Sequence, residues 1–117
     1  LPVYDLPVSA GTGVFLDGGS YETVLAGPDV PDGADFGVRV SGDSMEPAYR
    51  SGQVVWVRRQ PTLEDGETGV FLLNGQAYIK QWRPSASGAK LVSFNRAYAP
   101  IPIREQDELS TFGRVLS

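Results

Sequence analysis

The sequence contains no cysteine and no histidine. Their absence removes disulfides, thiolate nucleophiles, the usual zinc ligands and every catalytic triad built on imidazole. What is left for chemistry is a pair of carboxylates, a carboxylate-bound metal, or a hydroxyl nucleophile activated by lysine. Basic residues are also few, ten against fourteen acidic ones, giving a net charge of −4 and a pI near 4.6. Binding to a phosphate backbone relies on clustered Lys and Arg, so the chain is not expected to grip DNA by itself. Long apolar runs are missing too. Nothing approaches the roughly 20 residues that cross a bilayer, and no secretory signal pattern is visible, which points to a cytoplasmic protein without a membrane partner. With 117 residues one compact domain is expected. The first residue is Leu1 rather than methionine, which suggests an excised domain whose N-terminal partner lies elsewhere.

Glycine and proline, by contrast, are plentiful, at fourteen and nine. With apolar residues confined to short runs, they favour a mainly β domain of short, mostly antiparallel strands with little helix. Residues 1–33 read as an irregular N-terminal arm, and 34–117 as the β-rich core with which the arm forms one structural domain. Phe36, Val38 and Val40 alternate with Gly37, Arg39 and Ser41, the period of a half-buried strand. A turn at Ser41-Gly42-Asp43-Ser44 follows, then one short helical turn from Met45 to Arg50 capped by Ser44. The Val54-Val55-Trp56-Val57 run reads as a strand buried on both faces. Gly69 to Leu73 and Gln76 to Trp82 flank Asn74-Gly75, which predicts a hairpin with a type I′ turn. Lys90 to Phe94 and Thr111 to Leu116 predict further strands, and Pro100 and Pro102 mark an edge.

Lysine occurs only at Lys80 and Lys90, against eight arginines. Strand alternation puts Tyr78, Lys80 and Trp82 on one face, so Lys80 is expected between two aromatic rings. Burial there disfavours the ammonium and lowers the pKa, leaving a neutral amine able to accept a proton. Taken alone, the same pattern also fits a lysine that lays its methylenes over the rings and keeps its head in water. Ser44 is equally open at this point, since Gly-Asp-Ser is common turn and cap chemistry. Its position straight after a strand would nevertheless let the backbone N–H groups of Asp43 and Ser44 converge as an oxyanion hole. The acids Asp29, Asp32 and Asp35 can be imagined as a metal site, but spaced carboxylates in a Gly/Pro loop usually just solvate it. No metal or cofactor is expected.

At Val40-Ser41-Gly42-Asp43-Ser44-Met45-Glu46-Pro47 the sequence resembles the nucleophile motif Ser-Gly-x-Ser-Met of LexA-type repressors and UmuD-like proteins. A related motif occurs in signal peptidases. The resemblance extends to Gly52-Gln53-Val54-Val55, to Asp65-Gly66-Glu67 before the hairpin, to Phe94-Asn95-Arg96-Ala97-Tyr98-Ala99-Pro100-Ile101, and to Phe112-Gly113-Arg114-Val115. Val8-Ser9-Ala10-Gly11 is similar to the small-residue site cut in LexA-type repressors.

The resemblance implies a coiled β-clip fold of the kind shared by LexA and signal peptidases. It also implies a self-cleaving serine peptidase in which Ser44 attacks the Ala10–Gly11 bond with Lys80 as base. It further implies a homodimer that reaches DNA through an N-terminal helix-turn-helix domain, a RecA–single-stranded DNA filament as trigger, and repressor inactivation in a stress or SOS-type response. Three rivals remain: a UmuD-like polymerase accessory, a non-catalytic dimerisation or sensing module of a phage-type repressor, and a membrane signal peptidase.

Overall fold

The computed structural model describes residues 1–5, 21–23, 30–40 and 42–116. Among them the regular structure is all strand: β1 (Pro2–Asp5), β2 (Tyr21–Thr23), β3 (Phe36–Arg39), β4 (Val54–Arg59), β5 (Thr68–Leu73), β6 (Gln76–Arg83), β7 (Lys90–Val92), β8 (Ile101–Pro102) and β9 (Leu109–Val115). They form one sheet in the order β2-β1-β3-β4-β9-β5-β6-β7-β8. All pairs are antiparallel except β1 with β3. A mainly β, mostly antiparallel fold is therefore what the chain adopts. No helix among the described residues is long and apolar enough to cross a membrane.

The hairpin forms where the Asn-Gly pair predicts it. Asn74 and Gly75 have φ of 49° and 84°, as a type I′ turn demands, and the ladder runs from Leu73↔Gln76 to Thr68↔Gln81. β3 buries Phe36 and Val38, with Val40 continuing the buried row. The segment after Ser44 makes a single turn, closed by the Tyr49 amide donating to the Met45 carbonyl at 2.9 Å, and does not extend into a helix. Pro102 lies in β8 at the sheet edge, where a missing N–H leaves no ladder bond unmade.

Two expectations change. Pieces of the arm read as irregular are strands: β1 is paired on both sides and buries Val3 and Tyr4, with the Tyr4 ring edge-on to Phe36 at 5.9 Å. With four residues, β1 is too short for periodicity to reveal it. The strand buried on both faces is β5, not β4. In β4, Val55 and Val57 are buried while Val54 and Trp56 are only half-buried. In β5, Val70 enters a core with Phe36, Val38, Met45, Val57 and Ile79, whereas Phe71 and Leu73 point the other way into a second cluster with Leu91. The reason is position: β5 lies between β9 and β6 with apolar clusters on both faces.

The centre of the sheet is held by a close approach at Gly113 of β9. A Cβ there would lie 2.3 Å from the Arg58 carbonyl oxygen and 2.7 Å from Val57 Cγ1. Backbone cannot yield as a flexible side chain can. Gly113→Ala is expected to destabilise the domain by about 2–3 kcal/mol through overpacking. This would appear as a lower urea midpoint, and a loss below about 0.5 kcal/mol would show that the β4–β9 spacing is not fixed as described.

Candidate active site

The turn after β3 carries Ser44 at its tip. Gly42 enters it at φ +84°, a conformation that L side chains rarely adopt, and its amide donates to Ser51 Oγ at 3.3 Å. Met45, fully buried in the core, pins the turn from below and leaves Ser44 only half-buried above it. A second anchor is the Tyr49 ring, 6.2 Å from Phe94.

Lys80 reaches the same place from β6. It is 5 % exposed, and among the described residues it makes no ion pair. Its Nζ donates to Ser93 Oγ at 2.7 Å. Burial lowers its pKa from the ordinary lysine value, because the ammonium loses water that no carboxylate replaces. The amine lies 5.9 Å from the Tyr78 ring centre and 5.6 Å from that of Tyr98. Tyr78 is thus one of the two rings expected beside it, but Trp82 is not the other. Trp82 stacks on Phe71 at 6.0 Å in the second cluster, and Tyr98 arrives from the loop between β7 and β8.

Ser44, Lys80 and Ser93 line one cleft of about 460 Å³, together with Asp43 and Tyr98. Apolar side chains of Val40, Ala77, Ile79 and Ile101 complete its walls. The amides of Asp43 and Ser44, read from the sequence as oxyanion donors, have no hydrogen-bond acceptor among the described residues. The Asp43 carboxylate accepts the Tyr98 hydroxyl, and that bond, with the carboxylate charge, raises the tyrosine's pKa. Ala10 and Gly11 lie outside the described residues. Of the acids considered for a metal, Asp29 also lies outside them, and Asp35 accepts the Arg59 amide at 2.7 Å. No group of three His, Cys, Asp or Glu among the described residues is placed to hold a metal ion.

Sequence reasoning missed Ser93. The register Gln81↔Val92 in β6 and β7 places Ser93 opposite Lys80 one step beyond the ladder. That register depends on how the loop from Pro84 to Gly88 returns the chain, which no local pattern specifies.

The lowered pKa has a sign that stability can read. Unfolded, the lysine keeps its proton up to about 10.5; folded, it releases it sooner. Between the two values the unfolded chain binds the extra proton, so folding is favoured more strongly as pH rises. In a Ser44→Ala background, Lys80→Met is expected to be the more stable protein at neutral pH, with its advantage shrinking as pH approaches 10.5. Denaturant unfolding of the pair across this range checks it, and a difference that does not vary with pH would mean Lys80 titrates normally.

The Peptidase S24-like family profile matches residues 2–116. The chain is 38% identical over 113 residues to the LexA repressor of Streptomyces avermitilis, covering 94% of this chain and 47% of that protein. Identity to the LexA repressor of Streptomyces coelicolor is 37% with the same coverage. For that of Oleidesulfovibrio alaskensis it is 32% over 111 residues, 93% of this chain and 54% of that protein. The chain thus spans about half the length of these curated relatives. Matched over nearly its whole length and carrying a serine and a buried lysine in one cleft, the chain belongs to the Peptidase S24-like family as a LexA-type peptidase domain.

Proposed function

We propose that this domain is a self-cleaving serine endopeptidase of a LexA-like transcriptional repressor, with Ser44 as nucleophile, Lys80 as base and Ala10–Gly11 as the bond cut. The observation that carries the reading is the meeting of a half-exposed hydroxyl and a buried, carboxylate-free amine on the walls of one cleft. A serine at its free pKa is a weak nucleophile and needs a neighbouring base. An ordinary lysine would be protonated near neutral pH, whereas one pushed down by burial presents a lone pair. By taking one N–H of that amine, Ser93 fixes the direction of the lone pair.

Neutral Lys80 takes the Ser44 proton as Oγ bonds to the Ala10 carbonyl carbon. The Asp43 and Ser44 amides hold the resulting oxyanion. Collapse breaks the Ala10–Gly11 C–N bond, and the protonated Lys80 gives its proton to the departing Gly11 amine. Water, deprotonated by the again neutral lysine, then attacks the Ser44 ester, and the lysine returns that proton to the departing Ser44 Oγ as the Ala10 carboxyl group is released. Small residues at the bond suit the cleft, and tethering raises the effective concentration of the substrate.

In the whole repressor, an N-terminal helix-turn-helix would read the operator and this domain would hold two copies together. Cutting at Ala10–Gly11 would uncouple the two and weaken DNA binding. A RecA–single-stranded DNA filament, formed in an SOS-type response, is the proposed trigger.

Intact mass after alkaline incubation tests the reading. It is recorded under denaturing conditions because β1 is paired on both sides and its fragment can stay bound. Wild type is expected to lose residues 1–10 in a reaction first order in protein and faster as pH rises. Ser44→Ala should abolish the reaction. Lys80→Ala should slow it by at least about 100-fold, the usual worth of a general base, and Ser93→Ala by about tenfold through lost orientation. A wild-type mass that stays intact at alkaline pH favours the non-catalytic dimerisation or sensing module instead. A full-length gene without a helix-turn-helix favours the UmuD-like accessory.

A further inference from the structure

We infer that Asn95 is a positioning residue that turns the Ser44 amide toward the cleft. The inference rests on the proposed peptidase reading for its kinetic consequence but on geometry for its basis. Asn95 touches the backbone on both sides of Ser44: its side-chain Nδ2 donates to the Asp43 carbonyl at 3.0 Å, and its own amide donates to the Ser44 carbonyl at 2.9 Å. The orientation of its side chain is itself fixed, because Oδ1 accepts the Ala97 amide at 2.9 Å. Tyr98, three residues on, donates its amide to the Asn95 carbonyl at 3.1 Å and its hydroxyl to the Asp43 carboxylate.

The consequence follows from peptide planarity. The Asp43 C=O and the Ser44 N–H belong to one trans peptide unit and point in opposite directions. Asn95 is not among the residues lining the cleft, whereas Asp43 and Ser44 are. Asn95 holds the carbonyl side of this plane, so the Ser44 amide, which has no acceptor among the described residues, points away from Asn95 on a residue that lines the cleft. The Glu46 amide, donating to the same Asp43 oxygen at 3.1 Å, closes the turn but lies within it. Among the described residues, Asn95 alone ties that peptide plane to a distant segment, the loop between β7 and β8. An oxyanion donor is useful only when it is aimed before charge develops, so holding the plane still is a contribution to rate rather than to substrate binding.

Asn95→Asp separates this role from a general structural one. It keeps the shape of the side chain, the acceptor for Ala97 and the backbone bond to Ser44, and it replaces the donor to Asp43 with a carboxylate oxygen, a charge that Asn95→Ala does not add. In the full chain, Asn95→Asp and Asn95→Ala are both expected to lower the limiting alkaline rate constant of self-cleavage by roughly 10- to 100-fold. In Asn95→Ala, which adds no charge, the pH of half-maximal rate should not move, because Lys80 and Ser93 are untouched.

The second readout does not require catalysis. The 15N order parameter of the Ser44 amide is expected to fall from about 0.85, typical of rigid backbone, to below about 0.6 in both variants. If wild type cuts itself and Asn95→Asp does so at the same rate, or if the half-maximal pH shifts in Asn95→Ala, the inference is overturned. If wild type does not cut, the peptidase reading fails, and the order parameter alone decides the clamp: an unchanged value overturns it.

Discussion

Holding a lysine amine out of water disfavours its charged form, and the sheet around Lys80 is built so that this penalty is tolerated at one position. A buried ammonium without a counter-charge is expensive, yet a buried neutral amine needs little more than a hydrogen-bond partner. Ser93 is that partner, supplied one residue past the end of β7 at the position the β6–β7 register sets. On the other side of the β6 ladder, Lys80 faces Gly69, whose empty Cβ position is taken up by Leu63 and Phe71. Two tyrosine rings stand beside the amine. No carboxylate approaches closely enough to form an ion pair among the described residues, and one that did would return the lysine to its protonated form.

The serine half of the cleft is supported differently. Ser44 sits on a loop, where backbone geometry is free to depart from strand values, and its rigidity comes from below and from behind. Met45 plugs the turn into the same core that holds Phe36, Val57 and Ile79. Behind it, residues 95–98 bind the backbone and side chain of the turn at several points. Segments far apart in the chain therefore meet in one corner, with the Ser44 turn, the hairpin strand and the β7–β8 loop each held by its own packing.

Local chemistry made much of this legible. Asn74-Gly75 predicts its hairpin because few residue pairs accept positive φ twice in succession, and the alternation of Phe36, Val38 and Val40 fixes which face of β3 is buried. The pattern around Lys80 placed it among aromatic rings on a strand but left open whether its head is buried or in water, and packing decided for burial. Where expectation and structure diverge, the deciding contact is long-range. Trp82 shares the Lys80 face by alternation, yet Phe71 captures it, and Tyr98 fills its place from a loop. The Val54–Val57 run looks doubly buried by composition, but position within the sheet gives that role to β5. β1 is too short to announce itself and becomes a strand only because β2 and β3 flank it.

The sequence by itself determined the chemical repertoire, since a chain without cysteine or histidine leaves lysine as the natural activator for a serine. It also determined the hairpin, the strand character of the fold and the turn that presents Ser44. Tertiary structure alone decided which groups meet at the cleft: Ser93 and Tyr98 reach the amine, and Asn95 the Ser44 turn, through strand register and loop return, and both depend on the closure of the whole sheet. Periodicity reports which side of a strand is wet or dry, but the identity of the atom across the gap is a property of the packed molecule.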